Sequence, residues 1–217
     1  MKRSAQTLLF MLVAGATILA HAPGATAQSA KVKPGEGDDL RAVYATAADV
    51  AEGRRVTESC SRCHGLNGIT TTKGVPNVAG QRPAYLYAKL RAYQAGTRGD
   101  HGMEGAVKFL SDDALVKVAA YYSSLEPAQP TVTDGAKAAP AKPDSVAAGK
   151  TAAAGCAGCH GEGGISKTPG MSNLVGLDPK YLVAAMTAYK SGQRKHDVMK
   201  SLTAALSETD MKNIALY

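Results

Sequence analysis

The stretch ESCSRCHGLNG, Glu58–Gly68, sets two cysteines around two residues and a histidine directly after the second. The same arrangement returns as AAGCAGCHGEGG, Ala153–Gly164. Two thiols at this spacing can each form a thioether with one vinyl group of a haem. The histidine that follows then lies under the iron and ligates it from one face. Zinc is the competing reading, because Cys-x-x-Cys pairs are common zinc ligands. The pairs begin at Cys60 and Cys156, 96 residues apart, which is far beyond the pair spacing of a zinc ribbon. A redox dithiol would not need the histidine in both places. Cys60, Cys63 and His64, and Cys156, Cys159 and His160, are therefore read as two covalent haem c sites, with iron held by His64 and His160.

The motif recurs because a whole domain recurs. At an offset of 96, Cys60–Tyr121 matches Cys156–Tyr217 without gaps at 23 of 62 positions. Chance would give about four at average residue frequencies. The shared positions run well past the cysteines and include Asn77 and Asn173, Gly80 and Gly176, Pro83 and Pro179, Tyr93 and Tyr189, and Arg98 and Arg194. The chain is thus a tandem duplication.

Outside the repeats the residues change character. Lys2 and Arg3 precede an apolar run, Leu8–Ala20, and Ala25-Thr26-Ala27 is a small-residue cleavage site. Residues 1–27 read as a secretory signal peptide, the alternative being an uncleaved anchor. No later segment reaches spanning length, so the mature chain is expected to be exported and soluble. Residues 28–45 read as an extended N-terminal leader, 46–126 as the first domain and 144–217 as the second. Between them, residues 127–143 fall in EPAQPTVTDGAKAAPAKPD, rich in Pro and Ala and without an apolar period, hence a linker.

The fold class is all-α. Pro83 and Pro179 suit the first position of a helix, and Asp178 suits a cap. Leu86, Leu90 and Tyr93 recur at helical spacing, as do Leu182, Met186 and Tyr189. Gly96 and Gly192 suit helix ends. The last helix of the first copy opens at Ser111, with an apolar face of Leu115, Val118, Ala119 and Tyr122. Each domain holds about 80 residues, which is marginal for a core of protein alone. Trp is absent and Phe scarce. A buried haem supplies the missing apolar bulk, so each domain is a few helices wrapped around it.

The second axial position decides what the iron does, since a filled one suits electron transfer and an open one suits ligand binding or catalysis. Met171, Met186 and Met211 map to Val75, Leu90 and Leu115. Only Met103 and Met199 map onto each other, and these are the expected sixth ligands. A core methionine in each copy is the competing use. His101 and His196 do not correspond, and read as solvated loop residues. Arg98 and Arg194 suit a haem propionate or an ordinary helix end. Tyr85, Tyr93, Tyr181 and Tyr189 suit core packing or the same propionates.

These residues resemble the dihaem class I cytochromes c of the cytochrome c4 type. The resemblance covers both repeats, from about Asp49 onward. It is carried by CSRCHG and CAGCHG, PNVAGQRPAYL, GTR and GQR ahead of the methionine, and LSDDALVKVAAYYSSL. It implies two tandem cytochrome c domains related by a pseudo-twofold axis, His/Met haems, and a periplasmic carrier serving a terminal oxidase or reductase. The alternative is the electron-accepting cytochrome subunit of a periplasmic dehydrogenase, such as a flavin sulfide dehydrogenase. The family's Pro-Asn-Leu-Ala-Gly-Gln run is PNVAGQ in the first copy and SNLVGL in the second, where Ser172 and Leu177 stand opposite Pro76 and Gln81. That Pro carbonyl fixes the histidine ring in the family, so the two haems are expected to differ in potential.

No acid–base pair recurs in the two copies, so a carrier is read rather than an enzyme, with redox proteins as partners and no small-molecule substrate. Without Lys2 and Arg3 the chain keeps 23 basic against 18 acidic residues. That balance suits an acidic partner such as a membrane-bound respiratory complex, or association with an anionic membrane face. Nucleic acid does not suit an exported chain. The second copy stops at NIALY, where the first continues to Leu125. The parent chain is therefore expected to run on for at least one helical turn and perhaps a further haem domain.

Overall fold

The computed structural model describes residues 38–129 and 142–217, and every regular element among them is helical. The signal peptide, most of the leader and the middle of the linker lie outside the described residues. Helix α2 (Ala47–Val56) starts where Thr46 and Asp49 can cap each other. Asp49 N donates to Thr46 Oγ1 at 3.2 Å, and Thr46 N donates to Asp49 Oδ2 at 2.9 Å. The Thr46 backbone donor holds the Asp49 carboxyl below the ordinary carboxylate range. Helix α3 (Ser61–His64) is the short turn of the first cysteine motif. Helix α4 (Pro83–Gln94) begins on Pro83 and turns Ala84, Leu86, Tyr87, Leu90 and Tyr93 inward. Helix α5 (His101–Val107) follows, and α6 (Asp112–Ser124) is capped by Ser111, which accepts from Ala114 N at 3.1 Å.

Helix α6 is the spine of the first repeat. Leu115, Val116 and Ala119 are fully buried, and Val118 and Tyr122 nearly so. Helix α2 crosses it at Gly53, where a Cβ would run into the carbonyl oxygen of Lys117 and come within 2.8 Å of Tyr121 Cβ. Only a glycine lets the two backbones approach this closely.

The leader is not wholly extended. A helix α1 (Asp38–Val43) lies against α4 and α6. Ala42 is 1% exposed there, and Arg41 Nη2 donates to Asp113 at 2.6 Å and Asp49 at 3.3 Å. Leu40 and Val43 stay exposed, so the segment reads as an irregular leader until the acceptors for Arg41 are known.

The second repeat copies the plan with a thinner core. Its helices are α7 (Pro143–Ala152), α8 (Ala157–His160), α9 (Pro179–Ser191), α10 (Asp197–Ala204) and α11 (Glu208–Leu216). Asp178 caps α9 by accepting from Tyr181 N at 3.0 Å, and Gly192 ends it with left-handed backbone. Ser207 caps α11 in a capping box with Asp210. Helix α7 crosses α11 at Gly149, where a Cβ would strike Asn213 O. Gly53 and Gly149 occupy equivalent positions. Helix α9, unlike α4, contributes no fully buried side chain.

Both repeats lie in one compact unit, and the bonds between them follow a two-fold pattern. Asn77 Nδ2 donates to Gly176 O at 2.8 Å, and its counterpart Asn173 Nδ2 donates to Gly80 O at 3.2 Å. The departure at Leu177 also finds its place here. Gln81 spans the joint alone, donating to Asn173 O at 2.9 Å and accepting from Asn173 N at 2.7 Å. Asn77, Gly80, Gln81, Asn173, Gly176 and Leu177 share the lining of one cavity of about 90 Å³. The linker begins as part of this joint. Ala128 is 8% exposed, and Pro127 and Ala128 close over Gly80 and Gly176, leaving no room for a Cβ at either. Replacing Gln81 by Leu, the residue of the second repeat, strands a buried N–H and a buried carbonyl of Asn173. The expected cost is about 1–3 kcal/mol, read by calorimetry of the holoprotein as one unfolding transition separating into two. An unchanged single transition would show that Gln81 does not join the repeats.

Candidate functional site

Each cysteine motif occupies one helical turn. His64 N donates to Cys60 O at 3.0 Å and Gly65 N to Ser61 O at 2.9 Å, which brings the two cysteines to one side. Gly65 and Gly161 then leave the turn at φ 78°, in backbone that disfavours other residues. None of the four cysteines is in a disulfide. Cys60 and Cys156 are half-buried, and Cys63 and Cys159 are exposed. Burial pushes the Cys60 and Cys156 thiols up from their ordinary value.

The histidine rings are oriented identically. The His64 Nδ1–H donates to Pro76 O at 3.0 Å, and the His160 Nδ1–H donates to Ser172 O at 3.0 Å. A carbonyl can only accept, so Nδ1 carries the proton in each ring and Nε2 keeps its lone pair for a metal. His64 is 8% exposed, and its burial lowers the affinity of the ring for a second proton. Serine thus replaces proline in the second copy without loss of this bond. The Ser172 hydroxyl lies a further 3.4 Å from Nδ1.

The loops that present those carbonyls rest on residues the sequence reading did not single out. Thr70 Oγ1 donates to Cys63 O at 2.5 Å, and Ser166 Oγ does the same to Cys159 O at 2.9 Å. Thr70 N donates to Asn77 Oδ1 at 2.8 Å, and Ser166 N to Asn173 Oδ1 at 3.0 Å. The available signal was a hydroxyl residue and an asparagine at the same offset in both copies.

Met103 and Cys60 border the same apolar cluster, that of Leu86, Leu90 and Leu115. Met103 and Met199 are both half-buried. Each sits one turn into a helix held by a residue three positions before it. Asp100 Oδ1 accepts from Met103 N at 3.0 Å, and His196 Nδ1 accepts from Met199 N at 3.3 Å. His196 is exposed, as expected, but it is the cap of α10 rather than a free loop residue. His101 is fully exposed beside Glu104. Met211 is committed elsewhere, since its sulfur takes a hydrogen bond from Thr187 Oγ1 in the second core.

Arg98 is not a solvated helix end. It is 6% exposed, reaches Tyr85 and, across the joint, Tyr189 at 3.3 Å each, and stacks 5.2 Å from the Tyr93 ring. Arg194 stacks on Tyr181 and Tyr189, and Lys89 on Tyr85. The described contacts of these three cations include no carboxylate. Burial, with Arg98 and Arg194 nearby, pulls the Lys89 ammonium down to about 8, and burial pushes the Tyr85 hydroxyl up to about 12. The Arg98 Nε–H is buried without a partner. A cationic, donor-rich joint with an orphaned N–H fits the carboxylates of a haem. Two free thiols and a free imidazole nitrogen in each repeat fit its vinyl groups and its iron. Among the described residues no helix is long and apolar enough to cross a membrane.

The model of the family described as Cytochrome c matches residues 50–126 and again 146–217. The chain is 31% identical to cytochrome c4 of Azotobacter vinelandii over 79% of its length and 88% of that protein. It is 32% identical to a thiosulfate dehydrogenase electron acceptor of Thiomonas intermedia, over 73% of this chain and 75% of that one. Among solved structures it is similar to reduced cytochrome c4 of Pseudomonas stutzeri, with a TM-score of 0.68 and 26% identity over 77% of this chain and 96% of that one. It also resembles a thiosulfate dehydrogenase of Marichromatium purpuratum, at TM-score 0.65 and 25% identity, over 77% of this chain and 39% of that one. Two matched segments, each with its own Cys-x-x-Cys-His turn, indicate two covalent haem c groups. The chain belongs to the cytochrome c family, as a two-domain, dihaem electron-transfer protein of the cytochrome c4 type.

Proposed function

We propose that this protein is a periplasmic electron carrier in which Cys60 and Cys63, and Cys156 and Cys159, hold the haems by thioethers. His64 with Met103, and His160 with Met199, are then the axial pairs. The observation that carries this reading is the equivalent Nδ1–carbonyl bond in both repeats, which leaves each Nε2 facing away from its carbonyl with a lone pair. Capped turns set Met103 and Met199 at equivalent places.

The bound haem supplies an iron that changes between ferric and ferrous. The residues keep that change free of bond rearrangement. The histidine ring is locked by its carbonyl, the methionine turn is held by its cap, and burial limits water. Arg98, Arg194 and Lys89 offset carboxylate charge at the joint. Nothing here calls for an acid–base pair, so the chain carries electrons rather than catalysing a reaction.

Redox proteins are the partners. The first reading is a shuttle between a respiratory donor and a terminal oxidase or reductase. The second is acceptance of electrons from a periplasmic dehydrogenase, and the similarity to thiosulfate dehydrogenase electron acceptors favours thiosulfate oxidation over a flavin sulfide enzyme. A potentiometric titration of the purified holoprotein, followed by reduced-minus-oxidised spectra, tests the site. Two haems, each with a methionine–iron band, are expected, and a single haem or bis-histidine spectra would refute it.

The two potentials should differ. Ser172 gives the His160 ring a neighbouring hydroxyl, and Lys89 in the first repeat faces Ala185 at the equivalent position of the second. The titration should resolve two waves, and Ser172→Pro should move one of them. Superimposed waves in the natural protein would count against this asymmetry.

A further inference from the structure

The two methionine-bearing helices have the same inner side and opposite outer sides. In α10, Thr203 is 2% exposed and its hydroxyl donates to Met199 O at 2.7 Å, fixing which side faces in. On the outer side Val198 is 57% exposed and Leu202, one turn on, 46% exposed. Lys195 and Lys200 are exposed beside them. The equivalent residues of the first repeat are Gly102 for Val198, Ala106 for Leu202, Gly99 for Lys195 and Glu104 for Lys200. The duplication has thus placed branched aliphatic side chains in water, and inverted a charge, on one copy alone.

Neither change serves the domain itself. Adjacent exposed aliphatics gain nothing from burial and mark a contact surface. The surrounding charge says what kind of contact. Residues 190–205 carry four basic and one acidic residue, while the equivalent 94–109 carry two of each. An apolar centre rimmed by one sign of charge is the make-up of a transient protein interface, in which the apolar pair excludes water and the rim steers the encounter. Val198 is the peptide neighbour of Met199, so a protein seated here lies next to the proposed iron ligand.

We propose that the outer face of α10 is the docking surface for an acidic redox protein, which exchanges electrons directly with the second haem and not with the first. This rests on the reading of Met199 as an axial ligand. One electron passes from the reduced partner to ferric iron. The partner is oxidised by one electron and the iron reduced by one, and no bond forms or breaks.

The test mixes the oxidised holoprotein with a reduced acidic plant-type [2Fe–2S] ferredoxin in stopped flow. The comparison reductant is the hexaammineruthenium(II) cation. The variant Lys195→Gly with Lys200→Glu, which installs the first-repeat residues on an exposed surface, should slow reduction by ferredoxin about tenfold at low salt. The difference should vanish near 0.5 M salt, where screening acts over about 4 Å. Reduction by the ruthenium cation should not slow. Leu202→Ala should slow ferredoxin at every salt concentration. Amide shifts on adding a redox-inert gallium-substituted ferredoxin should cluster at 195–205. An unchanged ferredoxin rate in the lysine variant, or shifts clustered at 101–109, overturns the surface. Loss of the proposed ligation would instead show as a missing methionine–iron band in the natural protein, which the shift map does not depend on.

Discussion

Met103→Ala and Met199→Ala are each expected to abolish the methionine–iron charge-transfer band of one haem, lower that haem's potential and leave the other unchanged. A thioether favours ferrous iron, and axial ligand identity spreads haem potentials over about 0.8 V, so this is the largest functional effect available to a single side chain here. The argument does not rest on methionine being present, since the chain has seven. It rests on equivalence and on local structure. Both residues follow a cap by three positions and have that cap as backbone partner. Met211→Leu is the contrasting variant. Its sulfur bonds Thr187 and it is 3% exposed in the second core, so stability should fall while both bands remain. Either alanine variant keeping two intact bands would show that the iron has another ligand.

Gly53→Ala and Gly149→Ala should be the most destabilising small substitutions in the chain. Alanine is better than glycine in a helix by about 1 kcal/mol, so propensity alone predicts a gain. The crossing predicts the reverse. At each site the new methyl group meets a carbonyl oxygen of the partner helix, and backbone cannot rotate away as a side chain can. Overpacking of this kind costs about 3 kcal/mol, a large share of the 5–15 kcal/mol that holds a typical domain together. For a domain of about 80 residues the thermal midpoint should fall by about 10–20 °C. Melting of the holoprotein followed by circular dichroism reads it, with exposed Arg54→Ala as the neighbour that should change little. An upward shift in either glycine variant would mean that the helices can slide apart at no cost.

Much of this was written in the order of residues. The cysteine turns, Pro83, Asp178, Ser111 and the inner face of α6 are local signals, and each depends on neighbours within four positions. What the chain did not disclose is what depends on distant partners. Gly53 looks like an unremarkable helical glycine until Lys117 lies across it. Arg41 belongs to a bland leader until Asp49 and Asp113 appear as acceptors. Arg98 could be read two ways because its partners, Tyr85 and Tyr189, stand 13 and 91 residues away. His196 looked like a solvated loop residue because histidine is an uncommon cap, and only the place of Asp100 in the other copy hints at the role. Gln81 and Leu177 were legible as a difference but not as a reason, because the reason lies where the copies meet.

A side chain close to a symmetry axis faces its own duplicate. If two separate, identical copies met here, both would present the same residue to the same small space, and each Gln81 would compete with its twin for the backbone of Asn173 or its equivalent. Joining the copies in one polypeptide removes that obligation. One side keeps the amide and takes both backbone bonds, the other keeps an aliphatic side chain, and a single Pro127-Ala128 step closes over both glycines. Fusion here does more than tether: it permits a lopsided solution that a homodimer could not encode.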